Sequence, residues 1–375
     1  MNALSLWCLQ LKVMFGKELR QLGRDRVLLA FIVYAFTVDI FLAASGVSLQ
    51  LKLASTYVED VDHSSASREL ASRFLPPYFQ LQGELASERA ADAALSSGRA
   101  MLVLTVPAGF GEDLARGEPT HVQLQVDTSN AVLGFLAASY AEQIVARFGL
   151  ETVDAGKTPL PVIENRTRVW FNPNQEDSWF MGISELLNVI TIFSVLLPAA
   201  AAVREKERGT IEQLLVSPLT PLQILLPKVL SMTLVILAGT ALALFGVLRP
   251  CFGVPMAGSV PAFFALTALY VFTSAGFGLL AATVARNLAQ AGMLTILILA
   301  PMLFLSGAWT PPEAMPEWLA VFTHFSPLYY FINISFGLLL KGQTVAALWP
   351  SVLGMMALGM AAFAAGLLRF RRQFG

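Results

Sequence analysis

The sequence is poor in charge, cysteine and histidine. Asp, Glu, Lys and Arg make up only 14% of the 375 residues, and the formal net charge is −1. A near-neutral chain gives no electrostatic argument for nucleic-acid binding. The two cysteines cannot supply a disulfide framework or a CxxC motif, and His63 and His121 show no metal-ligand spacing. These shortages argue against a disulfide-stapled fold, a zinc module and a nucleic-acid-binding protein.

Apolar residues are abundant instead. They account for 55% of the chain, and the mean hydropathy is +0.63, which is typical of a polytopic membrane protein. A helix needs about 20 apolar residues to cross a hydrocarbon core of about 30 Å. Six segments are long enough, and we predict a mainly α-helical fold with spans at 27–47, 179–203, 226–248, 260–285, 288–307 and 347–368. The first span resembles a signal peptide, but its apolar stretch is too long for one, so we interpret it as an uncleaved span.

Lys and Arg are unequally divided between the two sides of these spans. One side receives segment 1–26, the loop 204–225 and the C-terminal arginines, whereas the short loops of the other side hold only Arg249 and Lys341. The positive-inside rule therefore predicts that both termini are cytoplasmic. The apolar stretch 308–345 is interpreted as re-entrant or interfacial helices on the outer side. The alternative, a seventh span, would place the C-terminal arginines outside.

The segment 48–178 has a different character. Strand propensity is high in Ala100–Pro107 and His121–Asp127, and helical periodicity appears in Ser87–Gly98 and Ala131–Phe148. We predict a small extracytoplasmic α/β domain inserted between the first and second spans.

The cytoplasmic loop 204–225 holds the densest charge. Arg204 to Arg208 alternate in sign and predict an exposed face. Thr210 and Gln213 have the spacing of a capping box, and Glu212 favours the helix dipole in the first turn. Thr220-Pro221 is typical of the start of the next helix. The loop is thus either a solvated connection that only fixes topology or a short amphipathic helix that docks a soluble partner.

At these residues the chain resembles the ABC-2-type transport permeases, the membrane halves of one class of ATP-driven exporters. The similarity is carried by "REKERGTIEQLLVSP" (204–218), "FNPN" (171–174), "LSGAWTPPEAMPEWL" (305–319) and "SPLYYFINISFGLLLKG" (326–342). The first span and outer insert resemble the bacterial inner-membrane permeases that have a large periplasmic loop. The resemblance implies that the coupling element, which contacts the ATPase, contains Glu205, Arg208, Gly209, Thr210, Glu212 and Gln213. It also implies a dimer of two permease halves with two ATPase subunits or domains; a periplasmic adaptor is a further candidate partner.

The chain has no sequence for hydrolysing nucleotide itself. The phosphate-loop pattern G-x-x-x-x-G-K-[ST] is absent, and the predicted cytoplasmic parts are too short for a nucleotide-binding domain. We therefore expect no cofactor on this chain, with ATP and Mg²⁺ bound by a separate ATPase. Segment 1–26 has apolar residues at three- and four-residue intervals among basic ones, which predicts an amphipathic helix in the inner interface.

Three polar residues are candidates for a translocation path. Asp39 lies within span one, Glu185 lies near the outer end of span two, and Asn188 follows one turn deeper. Carboxylates inside a membrane usually face protein or water, so these residues could share a cavity that favours cationic substrates. For Glu185 the alternative is snorkelling to the surface, and for Asp39 an inter-helix contact. Gly276, Gly278, Gly292 and Ala281 are predicted to be helix-packing positions.

Three functions fit these features. An export permease for a drug, lipid or polymer is the leading interpretation. The main alternative is a non-transporting membrane receptor whose outer domain binds a ligand. A channel or secondary transporter is the third, although the inverted repeats of many carriers are not evident. A neighbouring gene for an ATPase would favour the first, and one for a histidine kinase the second.

Overall fold

The computed structural model describes residues 3–46, 51–128, 131–154, 172, 174, 176–209, 220–307 and 315–374. The chain divides into two compact units. One consists of Met1–Val47 together with Val169–Gly375, and the other is Ser48–Arg168. They are described separately below as the helical unit and the insert.

The helical unit contains eleven α-helices within the described residues. Helix α1 spans Ala3–Arg24, and α2 (Arg26–Tyr34) continues through a π-helical turn, Ala35–Asp39, into α3 (Ile40–Gly46). After the insert come α8 (Asp177–Glu207) and α9 (Pro221–Leu242), which a second π-helical turn, Ala243–Leu248, joins to α10 (Arg249–Phe252). The remaining helices are α11 (Val260–Val284), α12 (Leu288–Phe304), α13 (Glu317–Thr323), α14 (Pro327–Leu339) and α15 (Trp349–Phe374).

Five helical stretches of the described chain are long and apolar enough to cross a membrane. They are Arg26–Gly46, Asp177–Glu207, Leu222–Phe252, Val260–Val284 and Trp349–Arg369. They match five of the six predicted spans. The remaining prediction, 288–307, falls on α12, which has 17 residues and is therefore about 25 Å long at 1.5 Å per residue. The sixth span stays a prediction.

Helix starts follow the local sequence signals. The prediction for Thr220-Pro221 is confirmed, because the Thr220 hydroxyl accepts a hydrogen bond from the Gln223 N–H and Pro221 begins α9. The Gln223 side chain accepts the Thr220 N–H in return, at 2.8 Å, which completes a capping box. Asp25 caps α2 in the same way, since its Oδ1 lies 3.1 Å from the Leu28 nitrogen.

Helix α8 is the centre of the helical unit. In its most apolar window 78% of the residues are buried, against 61% or less in the other four long stretches. The Tyr270 ring of α11 stacks on Phe331 of α14 with centroids 4.0 Å apart. Its hydroxyl lies 2.8 Å from Thr191 Oγ1 of α8, so the buried phenol has a hydrogen-bond partner. Aromatic stacking and one polar contact thus connect α8, α11 and α14.

Small residues let these helices approach closely. A Cβ atom added at Gly278 of α11 would lie 2.1 Å from the Val195 carbonyl oxygen of α8, and one at Gly276 would lie 2.6 Å from the Phe363 nitrogen of α15. Ala281 is buried as well. The packing role predicted for these three residues is confirmed. The prediction for Gly292 is wrong within the part of the chain that the structure describes, because nothing there lies within 4 Å of an added Cβ.

The insert is a small α/β unit. Its strands are β1 (Ala54–Asp60), β2 (Phe79–Glu84), β3 (Leu102–Val106) and β4 (Gln123–Val126). They form one sheet in the order β2-β1-β3-β4, with β4 antiparallel and the other pairs parallel. Helices α4 (Ser65–Ala71), α5 (Glu88–Ser96), α6 (Phe110–Arg116) and α7 (Ala131–Asp154) accompany the sheet. The two strands and two helices predicted from sequence coincide with β3, β4, α5 and α7.

Gly278→Ala should destabilise the helical unit, because the added methyl group would force apart the backbones of α8 and α11. Overpacking of this kind costs about 1–3 kcal/mol. The matched control is Gly292→Ala, which adds a methyl group in open space and should raise helix stability by about 0.5–1 kcal/mol. Thermal unfolding of the purified chain in detergent measures both effects. Equal melting temperatures for the two variants would contradict the packing described.

Candidate functional site

The last turn of α8 carries four successive charged residues, Arg204–Glu207, and each side chain contacts a different part of the helical unit. Successive residues of a helix point about 100° apart, so four in a row face all directions around the axis. The arginine lies 3.6 Å from Asp25, the residue that caps α2. We call Arg204–Glu207 and their partners in this chain the α8 clamp.

Glu205 belongs to a buried ion network. Its Oε1 lies 2.8 Å from Lys228 Nζ of α9 and 2.9 Å from Lys17 Nζ of α1. Lys228 Nζ also lies 2.7 Å from Glu18 Oε1. The side chains of Lys228, Glu18 and Glu205 are only 1%, 3% and 7% exposed. Two ammonium groups and two carboxylates therefore balance their charges inside the protein and join α1, α8 and α9.

Lys17 closes this network toward solvent, with its side chain 44% exposed. Partial burial lowers its pKa, but the hydrogen bond and charge of Glu205 more than offset that effect, so the pKa lies above the usual lysine value.

Further hydrogen bonds connect α1 to α9. Gln223 Nε2 donates to Gln10 Oε1 at 2.8 Å, and the Ser231 hydroxyl donates to the Phe15 carbonyl at 3.3 Å.

Lys206 and Glu207 hold the corner between α11 and α12. The Lys206 ammonium donates to the carbonyl oxygens of Ala282, Thr283 and Ala285 at 2.8, 3.2 and 3.1 Å. These carbonyls belong to the last turn and the C-cap of α11, where no further helical N–H can satisfy them. Glu207 Oε1 accepts the Leu288 N–H at 2.8 Å, at the start of α12. A cation at a helix C-terminus and an anion at an N-terminus both favour the helix dipole.

The coupling role of the six predicted residues stays a prediction, but the structure shows the surroundings of three of them. The expected exposed face is wrong for Glu205, which is buried because its carboxylate pairs with lysines of two other helices. Arg208 is exposed and caps the C-terminus of α8, and Gly209 ends the helix with φ 66°, a left-handed conformation that favours glycine. The other three predicted residues, Thr210, Glu212 and Gln213, lie outside the described residues.

Sequence reasoning missed the partners of the clamp. Sequence patterns assigned no contact to Glu18 or Lys228, and the roles of Asp25 and Lys206 were not foreseen. A signal existed for Lys228, because it lies inside an apolar run, where a lysine needs a partner. Nothing in the sequence says that this partner is Glu18.

The three candidate path residues lie together. Asp39 ends the first π-helical turn, and its carboxyl group interacts with that of Glu185 on α8. Asn188 Nδ2 donates to Glu185 Oε2 at 3.2 Å. Asn188 is only 5% exposed, and its Oδ1 has no hydrogen-bond partner among the described residues, nor has the Ser184 hydroxyl one turn away. Two carboxyl groups and two polar acceptors thus meet in the helical unit. Within the described residues, His, Cys, Asp and Glu form no group of three that could hold a metal ion.

The two π-helical turns contact each other close to this cluster. A Cβ added at Gly239 of α9 would lie 2.5 Å from the Phe36 ring, so the glycine makes room for an aromatic side chain of the first turn. π-Helical turns within α-helices are frequent at functional sites. Their position beside Asp39 singles out this cluster as the second candidate site.

Comparison with known proteins identifies relatives over nearly the whole length. The Inner membrane transport permease YhhJ of Escherichia coli (strain K12) is 35% identical over 360 residues, which cover 96% of this chain and 96% of that protein. The Probable multidrug ABC transporter permease YbhR of the same strain is 28% identical over 365 residues, or 97% of this chain and 99% of that protein.

The Probable multidrug ABC transporter permease YbhS, also of Escherichia coli (strain K12), is 28% identical over 270 residues, 71% of each chain. The family described as ABC-2 family transporter protein matches residues 27–368, a range that contains both candidate sites except for α1 and Asp25. The apolar helices, the α8 clamp and these matches lead to one conclusion: the chain belongs to the ABC-2 family of transporter proteins.

Proposed function

We propose that this chain is the membrane-spanning permease subunit of an ATP-binding-cassette exporter in a bacterial inner membrane. Family membership and the permease relatives support the membrane subunit. Two such subunits would assemble with ATPase subunits, which bind ATP and Mg²⁺. The six-span topology, with cytoplasmic termini and an extracytoplasmic insert, is part of this proposal.

The observation that carries the coupling mechanism is the α8 clamp. In the proposed topology, the segment after Gly209 meets the ATPase, and the end of α8 receives its movement. Glu205 passes that movement to α1 and α9, and Lys206 and Glu207 pass it to α11 and α12. Arg208 is exposed next to the clamp and is the described residue best placed to contact the ATPase directly. Docking of the ATPase and transmission of its movement would thus depend on adjacent residues at the end of α8.

The polar cluster gives the proposal a substrate preference. Asp39 and Glu185 place carboxyl groups together among membrane helices, where a cation would compensate their charge. Two relatives are named as probable multidrug permeases. We infer that the exported substrate is a drug-like apolar molecule, with cationic compounds preferred over neutral ones; lipids and polymers remain the competing classes.

Lys206→Met should separate docking from transport. Loss of hydrogen bonds to a charged group costs about 1.5–3 kcal/mol, and about 1.4 kcal/mol corresponds to a tenfold change. We expect ATPase pull-down to be unchanged while transport per hydrolysed ATP falls about tenfold. Arg208→Glu should instead weaken the pull-down itself.

The matched control for Lys206→Met is Arg286→Met. It removes a cation from the same corner of the chain, but the Arg286 side chain is exposed. Pull-down and transport are measured in membranes with equal permease levels. If Lys206→Met transports as well as Arg286→Met, the clamp does not transmit movement.

The native cysteines test the proposed topology. Both are free and exposed, and the topology places Cys8 in the cytoplasm and Cys251 outside. An impermeant thiol reagent should label intact cells only at Cys251, so Cys251→Ser should abolish labelling and Cys8→Ser should leave it unchanged. Permeabilised cells give the total reactivity of each variant. Labelling of Cys8 in intact cells would place this cysteine outside and would contradict the proposed topology.

Asp39→Asn and Glu185→Gln should each reduce export of a permanently cationic dye more than export of an uncharged one. Loss of about 1.4 kcal/mol of attraction predicts a tenfold reduction for the cation. The double variant should lose less than the product of the two single effects, because the carboxyl groups interact. The control is Glu176→Gln, an exposed carboxylate at the start of α8. Equal losses for charged and uncharged dyes would refute a charge-selective path.

A further inference from the structure

A basic cleft lies between α1 and the end of α8. Its volume is 550 Å³, and most of the side chains that line it are charged: Lys17, Arg20, Arg24, Asp25, Arg204 and Arg208. Five cations thus surround one carboxylate. Asp25 is already engaged, since it caps α2 and lies near Arg204. Within the described residues, no carboxylate pairs with Arg20, Arg24 or Arg208, so the cleft favours an anion.

The position of the cleft in the proposed membrane is defined by two helix ends. Asp25 caps the helix that begins the apolar stretch Arg26–Gly46, and Arg204 and Arg208 lie at the end of the stretch Asp177–Glu207. Both stretches leave the hydrocarbon layer at this level. The groups of a bilayer found there are lipid headgroups, and those of anionic phospholipids carry a phosphate.

An apolar groove of 230 Å³ adjoins the basic cleft and shares Gln21 and Arg204 with it. Its walls include Leu22, Leu28 and Met232, and it follows α8 back to Leu196. From Arg204 to Leu196 is eight residues, or about 12 Å along the helix axis. The groove therefore runs from the cations into the apolar part of the helical unit, as an acyl chain runs from its headgroup.

Helix α1 also has the surface of an interfacial helix. Leu6, Leu9 and Val13 are 43%, 51% and 63% exposed, although basic residues lie on the same helix. Such helices bury their apolar face at the boundary between headgroups and acyl chains and attract anionic lipids. This exposed face borders the same layer as the cleft.

We propose that the cleft and the groove together form a binding site for one anionic phospholipid, with its phosphate among Arg20, Arg24, Arg204 and Arg208 and an acyl chain in the groove. An acidic protein surface would match the charge but leave the groove empty. A soluble phosphate would do the same. The bound lipid would bridge α1 and α8, the two helices that the buried Glu205 network also joins. Binding does not depend on the proposed transport function.

The test is lipid binding by the purified full chain in detergent, with phosphatidylglycerol as the probe and phosphatidylcholine as the uncharged-headgroup comparison. Native mass spectrometry reports retained lipid during titration. We expect Arg20→Gln/Arg24→Gln to weaken phosphatidylglycerol binding about 30-fold, since each basic side chain near a lipid surface contributes about fivefold. Arg208 is left intact, so a proposed ATPase contact is not altered.

The control is Lys12→Gln/Arg26→Gln. It removes the same number of exposed cations from the same end of the chain, outside the lining of the cleft. A second variant, Ala200→Leu, fills the groove and should reduce phosphatidylglycerol binding without removing a charge. Melting in lipid-free detergent verifies folding. If Ala200→Leu does not fold, the arginine variants decide the outcome.

Four results would overturn the proposal. Equal binding by the cleft variant and its control would mean that the cleft is not the site. Equal binding of phosphatidylcholine would mean that the anionic headgroup is not recognised. Displacement of phosphatidylglycerol by inorganic phosphate at similar concentration would assign the cleft to a soluble anion. If the cleft variant loses ATPase pull-down but keeps lipid binding, the cleft belongs to the interface with the ATPase.

Discussion

The buried ammonium group of Lys228 is the constraint on which the arrangement of α1, α8 and α9 depends. An unpaired charge inside a protein costs several kcal/mol, whereas a paired one can be tolerated. Glu18 and Glu205 must therefore stay beside Lys228, and their helices must stay with them. This requirement fixes an amphipathic N-terminal helix, the central α8 and α9 relative to one another. Removing one member would leave the others buried without compensation.

The α8 clamp likewise connects the end of α8 to other helices of the unit through charged side chains. A helix that merely ended at the membrane surface would expose its final charges to water. Here Arg204–Glu207 contact the cap of α2, two other helices and the corner between α11 and α12. The end of α8 is thus a junction, and the proposed coupling follows from this arrangement. The charge density of this stretch of the sequence is explained by contacts inside the chain as much as by any outside partner.

Sequence patterns predicted the features that depend on neighbouring residues. Apolar length located five of the membrane helices, and Thr220-Pro221 located the start of α9, because both signals act within a few residues. Glu205 was misjudged because its partner Lys17 lies 188 residues away in the chain. A periodic pattern states that a residue is charged but does not identify what it faces. The π-helical turns were also not foreseen, since no residue type in Ala35–Asp39 requires one.

Those turns interrupt two membrane helices whose segments are held on both sides of the turn, since Trp179 Nε1 of α8 donates to the Phe252 carbonyl beyond the second turn at 2.8 Å. In each helix the part before the π-helical turn is tied to its surroundings by caps and hydrogen bonds, as at Asp25 and Gln223. A π-helical turn contains one more residue than α-helical geometry needs, so its conversion to an α-turn rotates everything beyond it by about 100°. Asp39 lies at this boundary. The direction of the Asp39 carboxyl group therefore depends on the π-helical turn, and an α-helical turn in its place would point that group elsewhere while the clamp stayed unchanged.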